Sequence, residues 1–198
     1  MIFDASFQQI DDKLKYLDIN FKRITKIINL SDDLESLNCE HNKIIKLDNL
    51  PPLLDTLICN DNMILKLNKL PRLLEYLECN INQISDLNNL PLYLIKLDCS
   101  SNHLINLNYL PHLLTNLYCG YNNLKILDNL PHSLQNIYCS HNKLINLNNL
   151  PYSLQSIYCS HNKLINLNNL PQFIHTLDYK NNLITNLNNL PPIAKILK

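Results

Sequence analysis

The chain has 198 residues, seven of them cysteine, and its 17 basic and 17 acidic side chains cancel. Zero net charge removes the main electrostatic argument for nucleic acid or an anionic membrane as a partner, and no apolar run is long enough to span a bilayer. The opening MIFDASFQQIDDK lacks the basic segment and apolar stretch of a secretion signal, so the chain reads as cytoplasmic.

Residues 1–10 carry Phe3, Phe7 and Ile10, enough for a small apolar N-terminal lid. A 20-residue period then takes over and runs through residues 11–190 as nine repeats. Counted from the proline that opens most copies (Pro51, Pro71 and on to Pro191), each reads P-x-x-L-x-x-L-x-C-x-x-N-x-(L/I)-x-x-L-x-N-L. Repeat one departs from this, with Asp11, Ile19 and Lys22 in the Pro, Cys and Asn places. Cys39, Cys59, Cys79, Cys99, Cys119, Cys139 and Cys159 hold the ninth position, and Tyr179 takes it in the last full repeat. A residue confined to one phase of one period does one structural job per turn, which makes the chain a solenoid. Residues 191–198 read as a truncated tenth turn, with Ala194 where Leu is expected.

Apolar positions 7 and 9 flanked by variable 6 and 8 have a period of two. They predict a short strand in every turn, centred on residues 36–39, 56–59 and so on. Nine parallel strands at about 4.8 Å spacing give a sheet about 40 Å long. Asn42 to Asn182, in phase at position 12, predict a ladder of inward-turned amides that satisfies backbone groups at the bend. Proline lacks an N–H and marks the return side, where extended, polyproline or single-turn 3₁₀ backbone is expected.

The columns Leu14 to Ile174, Leu17 to Leu177, Cys39 to Cys159 and Asn42 to Asn182 resemble the leucine-rich repeat, L-x-x-L-x-L-x-x-N-x-L, with Cys in place of the third Leu. The short period and Leu-Pro junction are similar to the 20-residue class of bacterial effectors and of giant DNA viruses of amoebae. An Asn-, Ile-, Lys- and Tyr-rich composition without valine points to an A/T-rich genome, compatible with the viral resemblance. The resemblance implies an α/β-type leucine-rich-repeat solenoid, right-handed. Its mainly parallel β-sheet lies on the concave face, opposite extended or 3₁₀ return segments. It also implies a non-catalytic module that binds a protein on that face, from a host cell and in host cytoplasm if the chain is viral. Two alternatives stand. One is a scaffold that self-associates end to end through its C-terminal turn. The other is the recognition fragment of a longer effector or ubiquitin-ligase-type protein.

The cysteines read as buried free thiols. Stacked parallel side chains are poorly directed for disulfides, and no short ligand pair suggests a metal. No cofactor, nucleotide loop or paired acid–base constellation is apparent. Outward positions of the early repeats are rich in acid, among them Glu35, Asp55, Glu75 and Glu78, whereas the last four repeats carry Lys143, Lys163 and Lys180 against Asp178. There position 8 supplies Tyr118, Tyr138 and Tyr158, and position 11 supplies Tyr121, His141 and His161. These six are the candidate binding residues, because aromatic side chains on rigid strands bury large area at low entropic cost. The competing reading is a tyrosine ladder that only stabilises the sheet.

Overall fold

A computed structural model describes residues 1–7, 15–168, 170–185, 190 and 195–197. Strands recur once per turn at β2 (Tyr16–Asp18), β4 (Ser36–Asn38), β5 (Thr56–Ile58), β6 (Tyr76–Glu78) and β7 (Lys96–Asp98). They continue at β8 (Asn116–Tyr118), β9 (Asn136–Tyr138), β10 (Ser156–Tyr158), β11 (Thr176–Asp178) and β12 (Lys195–Leu197). All ten form one parallel sheet in chain order, β2 pairing with β4 and each later strand with the next. The sheet thus has one strand more than nine repeats predict. The extra strand is β12, where Lys195 lies opposite Thr176, one residue short of the regular step of 20. This register aligns Ile196, not Leu197, with the inward-facing Leu177. Leu14, Ile10 and Ala194, each assigned a place in the sequence pattern, lie outside the described residues.

The strands are short because only position 7 must point inward between two outward residues. Leu57 is fully buried between half-buried Thr56 and Ile58, and the pattern recurs down the sheet. Inward leucines and isoleucines stack with the cysteine column into one continuous core. No single turn could bury its own apolar face, so the turns stabilise one another.

The return side is turn and extended backbone. The Leu54 N–H donates to the Pro51 carbonyl at 3.2 Å, an i→i+3 bond repeated at Leu74, Leu94, Leu114, Leu134 and Leu154. Proline suits the first place of this turn because only its carbonyl is required. The one 3₁₀ helix among the described residues, Ala5–Phe7, follows β1 (Ile2–Asp4). Strand β1 pairs in parallel with β3 (Lys26–Ile28), forming a separate two-stranded sheet. Phe3, from the expected N-terminal lid, packs against the core there.

Candidate functional site: an aromatic ladder on the sheet face

The asparagine ladder holds the bend that follows each strand. The Asn102 amide nitrogen donates to the carbonyls of Cys79 (3.0 Å), Cys99 (3.2 Å) and Ser100 (3.1 Å). Its Oδ1 accepts the Ile84 N–H at 2.9 Å. The same set recurs at Asn42, Asn62, Asn82, Asn122, Asn142, Asn162 and Asn182. Among the described residues no buried side-chain nitrogen or oxygen lacks a partner, which is what buried amides require.

The bend imposes a conformation that the repeat pattern did not reveal. Position 11 is left-handed in every turn: Phe21, His41, Asp61, Ile81, Ser101, Tyr121, His141, His161 and Asn181 all have φ between 47° and 56°. No glycine relieves this column. Its N–H groups stay in the ladder even so, with His141 donating to the Ser160 carbonyl at 2.9 Å and Tyr121 to Ser140 at 2.9 Å. Asn49, Asn129 and Asn149, two residues before their prolines, are left-handed as well, a conformation asparagine tolerates.

On this frame the six candidate residues form two stacks. Tyr118 and Tyr138 have ring centroids 4.4 Å apart with planes 9° from parallel, and Tyr138 and Tyr158 are 4.5 Å apart at 7°. Tyr121 stacks on His141 at 4.1 Å, and His141 on His161 at 4.0 Å. The cause is register: Tyr118, Tyr138 and Tyr158 are directly opposite one another in β8, β9 and β10, so identical side chains lie one strand spacing apart with their rings nearly parallel. Both faces of the Tyr138 ring are therefore covered by its neighbours. At Tyr138 the ladder leaves no open ring face for an intercalating group.

Each stack has a polar terminus. Lys96 lies 5.7 Å from the Tyr118 ring centroid, within cation–π range, and its Nζ contacts Glu78 Oε1 at 2.7 Å. That hydrogen bond holds the Lys96 pKa above its ordinary value against the opposing effect of burial. For Glu78, burial alone would raise the pKa. The hydrogen bonds from Lys96 and Asn60 outweigh it, so the carboxyl titrates below the usual range. At the other end, His161 Nε2 is 2.9 Å from the Asn181 amide nitrogen. Burial and the two flanking phenols raise the Tyr138 pKa, while burial and the His161 imidazole lower that of His141. Tyr121 and His161 are exposed, and the other four candidates are half-buried.

A shorter stack at the start of the same column, Phe21 on His41 at 4.2 Å, was not singled out from sequence. There His41 Nδ1 also meets Asp61 Oδ2 at 2.6 Å. The signal was present, since both residues share the phase of His141. The seven cysteines are free and buried, and burial drives their thiol pKa values upward, to about 12 at Cys39 and Cys139. Among the described residues no three His, Cys, Asp or Glu side chains converge to hold a metal ion. No described helix is long and apolar enough to cross a membrane.

The stacked parallel turns, inward leucines and asparagine-closed bends define the leucine-rich-repeat solenoid. Solved structures that share it include the three that follow. YopM from Yersinia enterocolitica WA-314 superposes with a TM-score of 0.85 at 31% identity, over 92% of this chain and 45% of that one. The functional domain of InlJ from Listeria monocytogenes, which includes a cysteine ladder, gives 0.77 at 29% identity, over 88% and 41%. YopM from Yersinia pestis, a leucine-rich effector protein, gives 0.67 at 28% identity, over 92% and 65%. The chain spans less than two thirds of the length of each. A scan against protein-family models and a search of curated proteins gave no match.

Proposed function

We propose that the chain is a non-catalytic protein-interaction module that engages its partner on the sheet face, at Tyr118, Tyr138 and Tyr158 with Tyr121, His141 and His161. The observation that carries this reading is the pair of stacked ladders. Each ring is immobilised by its neighbours before any partner arrives, so little side-chain entropy remains to be lost on binding. The hydroxyls form a regular row of hydrogen-bonding groups at strand spacing, suited to a polar, extended stretch of protein surface. Likeness to the effector YopM supports a partner protein belonging to a host cell. Seven reduced, buried thiols fit a reducing compartment, and we place the chain in cytoplasm.

The test is capture of partner proteins from the relevant host cell by the wild type and by the double variant Tyr138→Ala, Tyr158→Ala. The reading expects loss of the captured species with the unfolding free energy lowered by no more than the lost stacking, about 1 kcal/mol per pair. Undiminished capture by the folded double variant would move the site away from the ladder.

A further inference from the structure

We propose a second docking surface on the flank of the solenoid, where the chain enters its early strands, and assign it to a cationic, apolar segment of a partner protein. Glu35, Asp55 and Glu75 occupy one column directly before β4, β5 and β6. They are ladder neighbours: the Asp55 N–H donates to the Glu35 carbonyl and the Glu75 N–H to the Asp55 carbonyl, each at 2.8 Å. Three carboxylates thus succeed one another at strand spacing, a like-charge arrangement that weakens a sheet. Lys15 pairs with Glu35, but among the described residues Asp55 and Glu75 have no ion-pair partner. Exposed Asp33 adds to the negative charge, and exposed Arg72 opposes it only in part.

Two residues upstream of Asp55 and Glu75 stand Leu53 and Leu73; with Tyr93 and Leu113 of the next two turns they form an adjoining apolar column, 40–54% exposed. Leu53, Leu73 and Tyr93 line one shallow groove with the three carboxylates. The apolar column is interrupted after Leu113 and resumes only at exposed Phe173. At the same position Ser133 and Ser153 turn back to donate to the Leu114 and Leu134 carbonyls at 2.7 Å. The repeat can therefore fill this position without exposing hydrocarbon, whereas Leu53 and Leu73 are exposed in the very turns that carry Asp55 and Glu75. Apolar surface beside unneutralised carboxylates is complementary to a segment carrying both lysine or arginine and aliphatic side chains. An acidic segment is repelled, and a purely polar basic one leaves the leucines in water. This surface is distinct from the tyrosine ladder and does not depend on it.

The experiment measures binding of three short synthetic peptides to the full chain by fluorescence anisotropy: alternating lysine and leucine, lysine and serine, and glutamate and leucine. The lysine–leucine peptide is expected to bind at least tenfold more tightly than either control. Glu35→Gln, Asp55→Asn, Glu75→Gln together, and Leu73→Ser with Tyr93→Ser separately, should each weaken it tenfold or more. Tyr138→Ala with Tyr158→Ala should leave it unchanged. Far-UV circular dichroism and the unfolding midpoint report folding, and neutralising the three acids should leave the midpoint unchanged or raise it. Equal affinity for the lysine–serine peptide, or undiminished binding by either groove variant, would overturn the assignment. So would loss of the peptide in the tyrosine variant.

Discussion

Asn102 Oδ1 accepts the backbone N–H of Ile84, eighteen residues earlier, at 2.9 Å, while its amide nitrogen reaches three carbonyls from two different turns. One side chain thereby ties neighbouring turns together and closes the bend after its own strand. Asn102→Ala is expected to destabilise the protein by about 1–3 kcal/mol, since it leaves buried backbone groups without partners. Asn106→Ala, at an exposed position of the return side, is expected to change stability by less than about 0.5 kcal/mol. Equal chemical-denaturation midpoints for the two variants would contradict the ladder.

Ile81 is a β-branched residue held at φ 51° and is 53% exposed. Its left-handed backbone costs about 1–2 kcal/mol, and more than half of the residue stays in water. Ile81→Asn is therefore expected to raise stability by about 1 kcal/mol, asparagine being at home in this conformation. Urea unfolding measures it, and a lower midpoint in the variant would show that Ile81 makes contacts worth more than the strain.

The thiols of Cys39 to Cys159 are buried and shifted upward by that burial, so almost no reactive thiolate exists at neutral pH. A thiol-specific disulfide reagent at pH 8 is expected to modify the native protein only at the rate of its unfolding, and to titrate all seven thiols at once in guanidinium. Rapid labelling of two or more native thiols would place the column nearer solvent than the structure does.

His141 lies between the Tyr121 and His161 rings, and its pKa falls below the ordinary 6.5 because of burial and the neighbouring imidazole. A depressed histidine means that the unfolded chain binds the proton first, so its contribution to stability is lost as pH falls below about 6.5. The thermal midpoint should therefore drop more steeply between about pH 7 and pH 5 in the wild type than in His141→Gln. Parallel pH profiles for the two proteins would remove His141 as a source of that dependence.

Much of the fold was determined by sequence alone, because a period of 20 residues with one chemistry per phase leaves few ways to stack. Inward leucines, buried free cysteines, asparagine-closed bends and prolines at the return turn each follow from what one residue type can do in one backbone environment. Tyr118, Tyr138 and Tyr158 were placed together for the same reason, since parallel register aligns equal phases. Only the tertiary structure decided how those rings meet. The tyrosine ladder offered as the competing reading is present, and stacking leaves the Tyr138 ring covered on both faces. The left-handed column through Phe21, Ile81 and His141 was equally invisible. No glycine marks it: Asp61, Asn181 and the three histidines tolerate the conformation, while Phe21, Ile81, Ser101 and Tyr121 are held in it by ladder hydrogen bonds between turns. The acidic groove, likewise, needed Leu53 and Leu73 to be seen beside Asp55 and Glu75. Leucine in a leucine-rich repeat reads as core, and only packing shows which leucines the core leaves outside.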